Sequence, residues 1–374
     1  MPGYSATYFK RWAAVLIALV SANGIAATKP PAFPEDPQSH TWEKLGEGLY
    51  AFISPIGLTP LVSGNSLVVI GDDSVLVVDT GEFPSLARAE IAKIRELTAL
   101  PVRYIVTTHW HTDHWTGNAE FVRTYPGVSI IATANTRTLA QSHAYYMAPE
   151  YASQSIAAID KAIARGTHAD GRALLPSEVH YAEIAKIQLQ GLGKELAGVT
   201  PIYPNVIFSD SLDIYLGKRL VQIRFLGRGN TGGDAVVFVP DAKVLAAGDL
   251  VVNPFPYGGG SFYGEWLATL HKLLAMNAQI IVPGHGAVEH DNSYLTRLTQ
   301  LLESLHTQVA AAIKAGLSLE DTQRRVTLED ATQEFCGGRE FEDLCRYSFK
   351  NNFVGPAVAR SYQEQKSEPL TSED

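Results

Sequence analysis

The stretch VRYIVTTHWHTDHWTGN at residues 102–118 constrains this chain more than any other. It begins with the β-branched and aromatic residues of a buried strand and then crowds His109, His111, Asp113 and His114 together. In an extended chain residues two apart point to one side, so His109 and His111 present their imidazoles together while Trp110 faces away. The chain must then turn, and the adjacent Asp113 and His114 reach a second position a few ångströms on. Imidazole nitrogen and carboxylate oxygen suit zinc at about 2.0–2.2 Å. The chain has only 11 histidines. Burying three of them beside an aspartate without an ion would leave polar groups unsatisfied, so the pattern points to a metal.

The surrounding pattern alternates strand and helix. SLVVIG (66–71) and SVLVVDTG (74–81) are two β-branched runs joined by Gly71, Asp72 and Asp73, a hairpin signal. Pro84 and Ser85 open a predicted helix whose Leu86, Ile91, Ile94 and Leu97 recur at helical spacing up to Leu100. The strand carrying the histidines follows, then a helix around residues 121–125 and a strand at 128–133. Residues 135–199 turn alanine-rich and helical, an insertion of the kind that forms lids or subunit contacts. Strand patterns return at 219–227, 234–240, 243–249 and 279–286. Helices dominate after that: one over 294–315 stops at Gly316, and Ser318 with Asp321 reads as a capping box. The polar tail, 364–374, is predicted to be disordered.

The amino terminus has a different texture. Lys10 and Arg11 precede an apolar run over residues 12–20, with small residues through Ala27, the layout of a cleaved export signal. Ser21, Asn23 and Gly24 interrupt the run too early for a membrane span, which needs about 20 apolar residues. Cleavage near Ala27 or Thr28 predicts a periplasmic or secreted protein, with a Pro-rich linker at 28–41, and moves the formal charge from −9 to −11. An acidic chain without a basic stripe excludes nucleic acid as a partner, and no second segment of spanning length predicts a membrane insertion. In an oxidising compartment the only cysteines, Cys336 and Cys345, could form a local disulfide; free thiols are the alternative.

HWHTDH resembles the HxHxDH signature of the metallo-β-lactamase superfamily. The resemblance extends, in order, through Asp79 in VVDTG, Asp249 in AAGDLV and His285 in PGHG, covering roughly residues 42–290. It implies a four-layer αββα sandwich (α/β, or α+β) over 42–292 carrying the helical insertion, with a C-terminal helical extension at 293–363 outside the resemblance. The metals would lie between the sheets at the loop end. Carried over residue by residue, it places His109 and His111 on a first metal and Asp113, His114 and His285 on a second, with Asp249 bridging and Asp79 supporting the metal loops. Zinc is the expected cofactor, as one ion or two, with iron and manganese as alternatives.

One position departs from that pattern: LGRGNTGGD puts Asn230 where the family usually has a ligand histidine. An amide oxygen is a weaker zinc ligand than imidazole. Asn230 could bind through that oxygen, could leave a single ion at the second site, or could be replaced by His143, His168 or His180 from the insertion. The implied chemistry is hydrolysis of a small molecule. Metal lowers the pKa of bound water to about 7, hydroxide attacks a carbonyl of an amide or ester such as a β-lactam or lactone, and Asp113 orients it. The competing reading is an exported metal-binding or accessory protein that lost turnover at Asn230. In NPFPYGGGSFYGEW (253–266), Tyr257, Phe262 and Tyr263 are candidate substrate contacts. Oligomeric state is not legible.

Overall fold

The computed structural model describes residues 40–54, 63–167, 171, 173–174, 176–338 and 342–370. The predicted export signal, nearly all of the 28–41 linker and residues 371–374 lie outside the described residues.

The first sheet has seven strands whose spatial order follows the chain: β1 (Thr41–Gly46), β2 (Leu49–Ile53), β3 (Ser66–Ile70), β4 (Val75–Val78), β5 (Val102–Val106), β6 (Ser129–Thr133) and β7 (Val206–Phe208). The first four pair antiparallel and the rest parallel. Parallel neighbours need crossovers, which α1 (Pro84–Leu97) and α2 (Asn118–Thr124) supply. Between β6 and β7 the insertion is helical: α3 (Ala134–Ser142), a tight turn at Ala144–Met147, α4 (Pro149–Arg165) and α5 (Pro176–Leu196).

The second sheet holds β8 (Ser211–Leu216), β9 (Arg219–Phe225), β10 (Ala235–Val239), β11 (Val244–Val252) and β12 (Ile280–His285), in the order β12-β11-β10-β9-β8. Only β11 and β12 are parallel, joined through α6 (Tyr263–Ala275). Side chains alternate across each strand and so sort into layers. Leu67, Val69, Leu76 and Val78 meet Val221, Ile223, Val237 and Ala246 between the sheets. Val68, Val75 and Val77 point the other way, against Ile91, Ile94 and Phe121 of α1 and α2. The result is a four-layer αββα sandwich.

Four strands escaped the sequence pattern. In β1 and β8 exposed polar positions dilute the apolar run, and β7 is a short edge strand with Val206 and Ile207 exposed. β2, though mostly buried, is a five-residue run entered by a turn, too short to announce its period. Thr41, placed in the linker, begins β1.

The helices after β12 form the outer layer over the second sheet. These are α7 (Ser293–Lys314), α8 (Leu319–Arg325), α9 (Glu329–Cys336), α10 (Glu342–Ser348), a π-helical turn at Phe349–Val354 and α11 (Gly355–Gln365). Leu298, Leu302, Phe349, Phe353 and Val358 pack with Trp266 and Leu270 onto Val236, Leu245 and Ala247. The Ser318 hydroxyl accepts the Asp321 amide at 3.1 Å and caps α8. Cys336 and Cys345 are joined by a disulfide. The predicted tail boundary at 364 is too early: α11 runs to Gln365, and Glu364 accepts the Gly264 amide at 2.9 Å, tying the last helix to α6.

Trp266 is fully buried, and a Cβ added at Gly229 would come within 2.9 Å of its ring. Replacing it with alanine is expected to cost about 3–5 kcal/mol, read as a lower denaturation midpoint at unchanged m-value.

Candidate metal centre

The clustered side chains come from both sheets. β5 ends at Val106 and releases the chain into His109 and His111, and the turn Thr112–His114 supplies Asp113 and His114. From the second sheet, β11 carries Asp249 next to a register irregularity at Gly248, and β12 ends on His285. His109 Nε2 lies 2.9 Å from His111 Nδ1 and 3.5 Å from Asp249 Oδ2. On the other side His114 Nε2 is 3.2 Å from Asp249 Oδ1, 3.4 Å from Asp113 Oδ2 and 3.3 Å from His285 Nε2, which is itself 3.0 Å from Asp113 Oδ2. Asp249 thus turns one oxygen to each half of the cluster. Two sets of donor atoms, His109–His114–Asp249 and Asp113–His114–His285, each fit within 4.8 Å. Because they share His114, the donors form one continuous group rather than two separate shells.

Backbone clamps hold these pieces together. Asn65 at the mouth of β3 donates its side-chain amide to the carbonyls of Pro283 and Gly286 at 3.0 and 2.8 Å, and its backbone N–H to Gly284, gripping the loop that carries His285. Gly64 donates to the Asp113 carbonyl at 2.9 Å and passes so close that a Cβ there would sit 2.5 Å from the His114 ring. At Gly284 a Cβ would fall 2.0 Å from Asp249 Oδ1. Neither glycine tolerates a side chain.

Asp79 decides which nitrogens face inward. Its carboxylate accepts the Thr108 N–H and hydroxyl, both at 2.8 Å, and stands 2.8 Å from His114 Nδ1. With its proton given to Asp79, the Thr108 hydroxyl can only accept from His109 Nδ1, 3.0 Å away. Both imidazoles therefore carry Nδ1–H and turn Nε2 into the cluster, the orientation a metal ligand needs. Asn230 Nδ2 is buried without a hydrogen-bond partner, and Asp249 Oδ1 makes no hydrogen bond of good geometry although His114 Nε2 and His285 Nε2 stand 3.2 and 3.4 Å away. Inward-facing nitrogens around a buried carboxylate oxygen are a donor set that fits a divalent metal cation.

The charges agree. Burial opposes ionisation of Asp113 and Asp249, yet the histidines beside them hold both carboxyls well below the usual range. Burial likewise works against a charged His285, but Asp249 and Asp113 push it up to about 9. His111 goes the other way, lowered to about 3 by burial and by His109. Protons on His114 and His285 occupy the place that a cation would take.

Residues 59–285, more than half of the chain, match the sequence profile of the metallo-beta-lactamase superfamily. The chain belongs to that superfamily. A linear primary-alkylsulfatase of Pseudomonas sp. (strain ATCC 19151) is 25% identical over 275 residues, covering 68% of this chain and 48% of the relative. This superfamily member therefore spans about half the length of that curated relative. A metallo-beta-lactamase type 2 of Bacillus sp. (strain 170) is 29% identical over 97 residues, 24% of this chain and 37% of its own. Among solved structures, a metallo-beta-lactamase from Pontibacter korlensis superposes with a TM-score of 0.51 at 20% identity, over 71% of this chain and 99% of that one, a likeness of fold.

Other expected positions fall differently. Asn230 is buried next to a tight turn in which Thr231 donates its N–H and hydroxyl to Asp234 at 2.9 and 2.8 Å. His143 ends α3 with Nδ1 2.9 Å from the Leu139 carbonyl and its ring on Trp110; it is in neither convergent set. His168 and the side chain of His180 lie outside the described residues. Two of the three candidate substrate aromatics need correction. Phe262 and Tyr263 are only 5% and 3% exposed: Phe262 lies under the Arg228 and Arg360 guanidiniums, and Tyr263 packs on Trp266 and Phe353. Glycines made this loop read as open, whereas α11 covers it. Tyr257 is the exposed one. The sequence reading also passed over Glu82, a buried carboxyl pushed up to about 8 by burial and by Asp113, and over Thr108 and Asn65, whose roles exist only across the fold.

Asp79→Asn cannot accept both the Thr108 hydroxyl and His114 Nδ1–H as strongly, so metal affinity is expected to fall about 10- to 100-fold in chelator competition. His285 has a raised pKa, so in metal-free protein its stabilising share is complete below pH 6.5 and is lost as pH rises through about 9. Metal loading near pH 7.5 is accordingly expected to release about two protons, measured by calorimetry in buffers of different ionisation enthalpy.

Proposed function

We propose that this protein is an exported metal-dependent hydrolase that cleaves the carbonyl bond of a small amide or ester, such as a β-lactam or lactone. The observation that supports it is the convergence of Nε2 and carboxylate oxygens from three separate chain segments on one partly enclosed point. A divalent cation held there, zinc in first place, would supply Lewis acidity and lower the pKa of a bound water to about 7. His109, His111 and Asp249 would hold one ion and Asp113, His114, His285 and Asp249 a second. The weaker donor at Asn230 makes the His109 side the looser of the two.

The chain's own residues do the rest. Asp113, the most exposed acid of the cluster with its side chain 21% accessible, stays a carboxylate and is placed to orient the attacking water by accepting a hydrogen bond from it. His285, whose Nε2 stands 3.0 Å from that carboxylate in the metal-free cluster, would turn the same nitrogen to the cation when it binds. Trp110 and Trp115, both buried, back the histidine turn, and Trp115 Nε1 donates to the Trp110 carbonyl at 2.7 Å, bracing it from behind. Among the described residues no helix is long and apolar enough to cross a membrane. Export places a hydrolase of this kind where β-lactams act.

Protein reconstituted in turn with zinc, iron and manganese is offered a chromogenic cephalosporin, an aryl lactone and dodecyl sulfate. Metal-dependent turnover of the lactam or lactone is expected, with His111→Ala and His114→Ala each lowering kcat/KM by at least about 100-fold. Tight metal binding without turnover would replace this reading with the accessory one. Turnover of the alkyl sulfate alone would move the substrate to the class named for the Pseudomonas relative. For export, periplasmic protein is expected to lack the first 27 residues by intact mass, and a full-length chain in the cytoplasmic fraction would contradict it.

A further inference from the structure

A row of aromatic rings leads away from the metal cluster into the helical insertion. The His111 ring stands edge-on to Trp110 at 4.5 Å, and Trp110 lies against His143 at 4.3 Å. His143 is stacked with Tyr146 at 6.1 Å, and Tyr146 meets Tyr145 at 4.3 Å and Tyr151 at 5.0 Å. These residues sit at the end of α3, on the Ala144–Met147 turn and in the first turns of α4, and the Ala144–Met147 turn packs on the Thr112–His114 turn that carries two cluster residues. Tyr257, from the segment after β11, reaches the same neighbourhood, because its phenol acts electrostatically on that of Tyr146. Two stretches more than a hundred residues apart thus place tyrosines together beside the cluster.

The inner and outer members of the row differ. Trp110 is buried and serves as backing, whereas Tyr145 and Tyr257 are 39% and 46% exposed, two of the few large apolar side chains left open among the described residues. Burial holds the phenols of Tyr146 and Tyr151 well above their ordinary range, so both are neutral. Tyrosine faces make broad contacts with little loss of side-chain freedom, and they prefer stacked or edge-on rings.

We propose that Tyr145, Tyr146 and Tyr151 of the insertion, with Tyr257 in their neighbourhood, form the wall that recognises the substrate's side group, and that this group is an uncharged aromatic ring next to the scissile bond. A flexible alkyl chain of similar area would gain burial there but no ring-on-ring geometry. The proposal takes the location of the substrate from the hydrolase reading, and binding rather than turnover tests it.

Zinc-loaded protein is titrated calorimetrically with phenylacetate and with hexanoate, which share a carboxylate and differ in the side group. Phenylacetate is expected to bind about tenfold more tightly. Tyr145→Ala and Tyr257→Ala are each expected to reduce that preference by about threefold or more, because phenylacetate loses ring contacts as well as burial while hexanoate loses burial alone, with zinc content and melting temperature unchanged. Both positions are partly exposed, so neither substitution threatens the core. Equal affinity for the two ligands, no measurable binding of phenylacetate, or parallel loss of both ligands in the variants overturns the wall. Ring selectivity without hydrolysis would overturn the catalytic reading and leave the wall in place, and hydrolysis without ring selectivity would do the reverse.

Discussion

The metal centre depends first on one buried carboxylate. Asp79 leaves β4 in the left-handed region at φ 57°, where a residue with a side chain is strained unless its surroundings hold it. Three hydrogen bonds do so, from the Thr108 amide, the Thr108 hydroxyl and His114 Nδ1. Through those contacts a single side chain fixes the tautomers of His109 and His114, and both Nε2 atoms face inward before any ion arrives. Such preorganisation removes part of the ordering cost from metal binding.

That support would be idle unless the second sheet delivered its share. Asp249 and His285 arrive on parallel neighbours β11 and β12, while the histidine turn follows β5 of the first sheet. The apolar layer between the sheets sets the coarse distance, and Asn65 sets the fine one by gripping the His285 loop from the opposite sheet. Gly64 and Gly284 then allow the approach: each passes a cluster side chain at a distance that a Cβ would block. Within the cluster Asp113 and Asp249 keep His114 and His285 charged and are kept charged by them, so protons stand in the positions that suit a divalent cation.

The helical additions act on this centre from outside. α7 and α11 close the outer face of the second sheet with Leu298, Leu302, Val358 and their neighbours, and in doing so they bury Tyr263, which a glycine-rich context had made look accessible. The insertion acts more directly. Its tight turn sits on the turn of Asp113 and His114, and its rings continue outward from Trp110, so the segment least like a sheet element contributes surface next to the reactive groups.

The sequence by itself determined the local chemistry and much of the layering. Three histidines and an aspartate at one strand end, the hairpin before them and the alternation of strand and helix all depend on short-range periodicity, and so does the Ser318 cap. Landmarks far along the chain, Asp79, Asp249 and His285, became legible through resemblance rather than spacing, since nothing local says that they meet. Only the tertiary structure decided how donor atoms are shared, with His114 common to both sets, and which nitrogens point inward. It alone revealed Asn65, Thr108 and Glu82, whose partners lie elsewhere in the chain or in a buried environment that composition does not describe. It likewise buried Phe262 and Tyr263 and exposed Tyr145. The physical reason is the same throughout: period and turn chemistry act over a few residues, whereas burial, tautomer and electrostatic coupling are properties of atoms that only packing brings together.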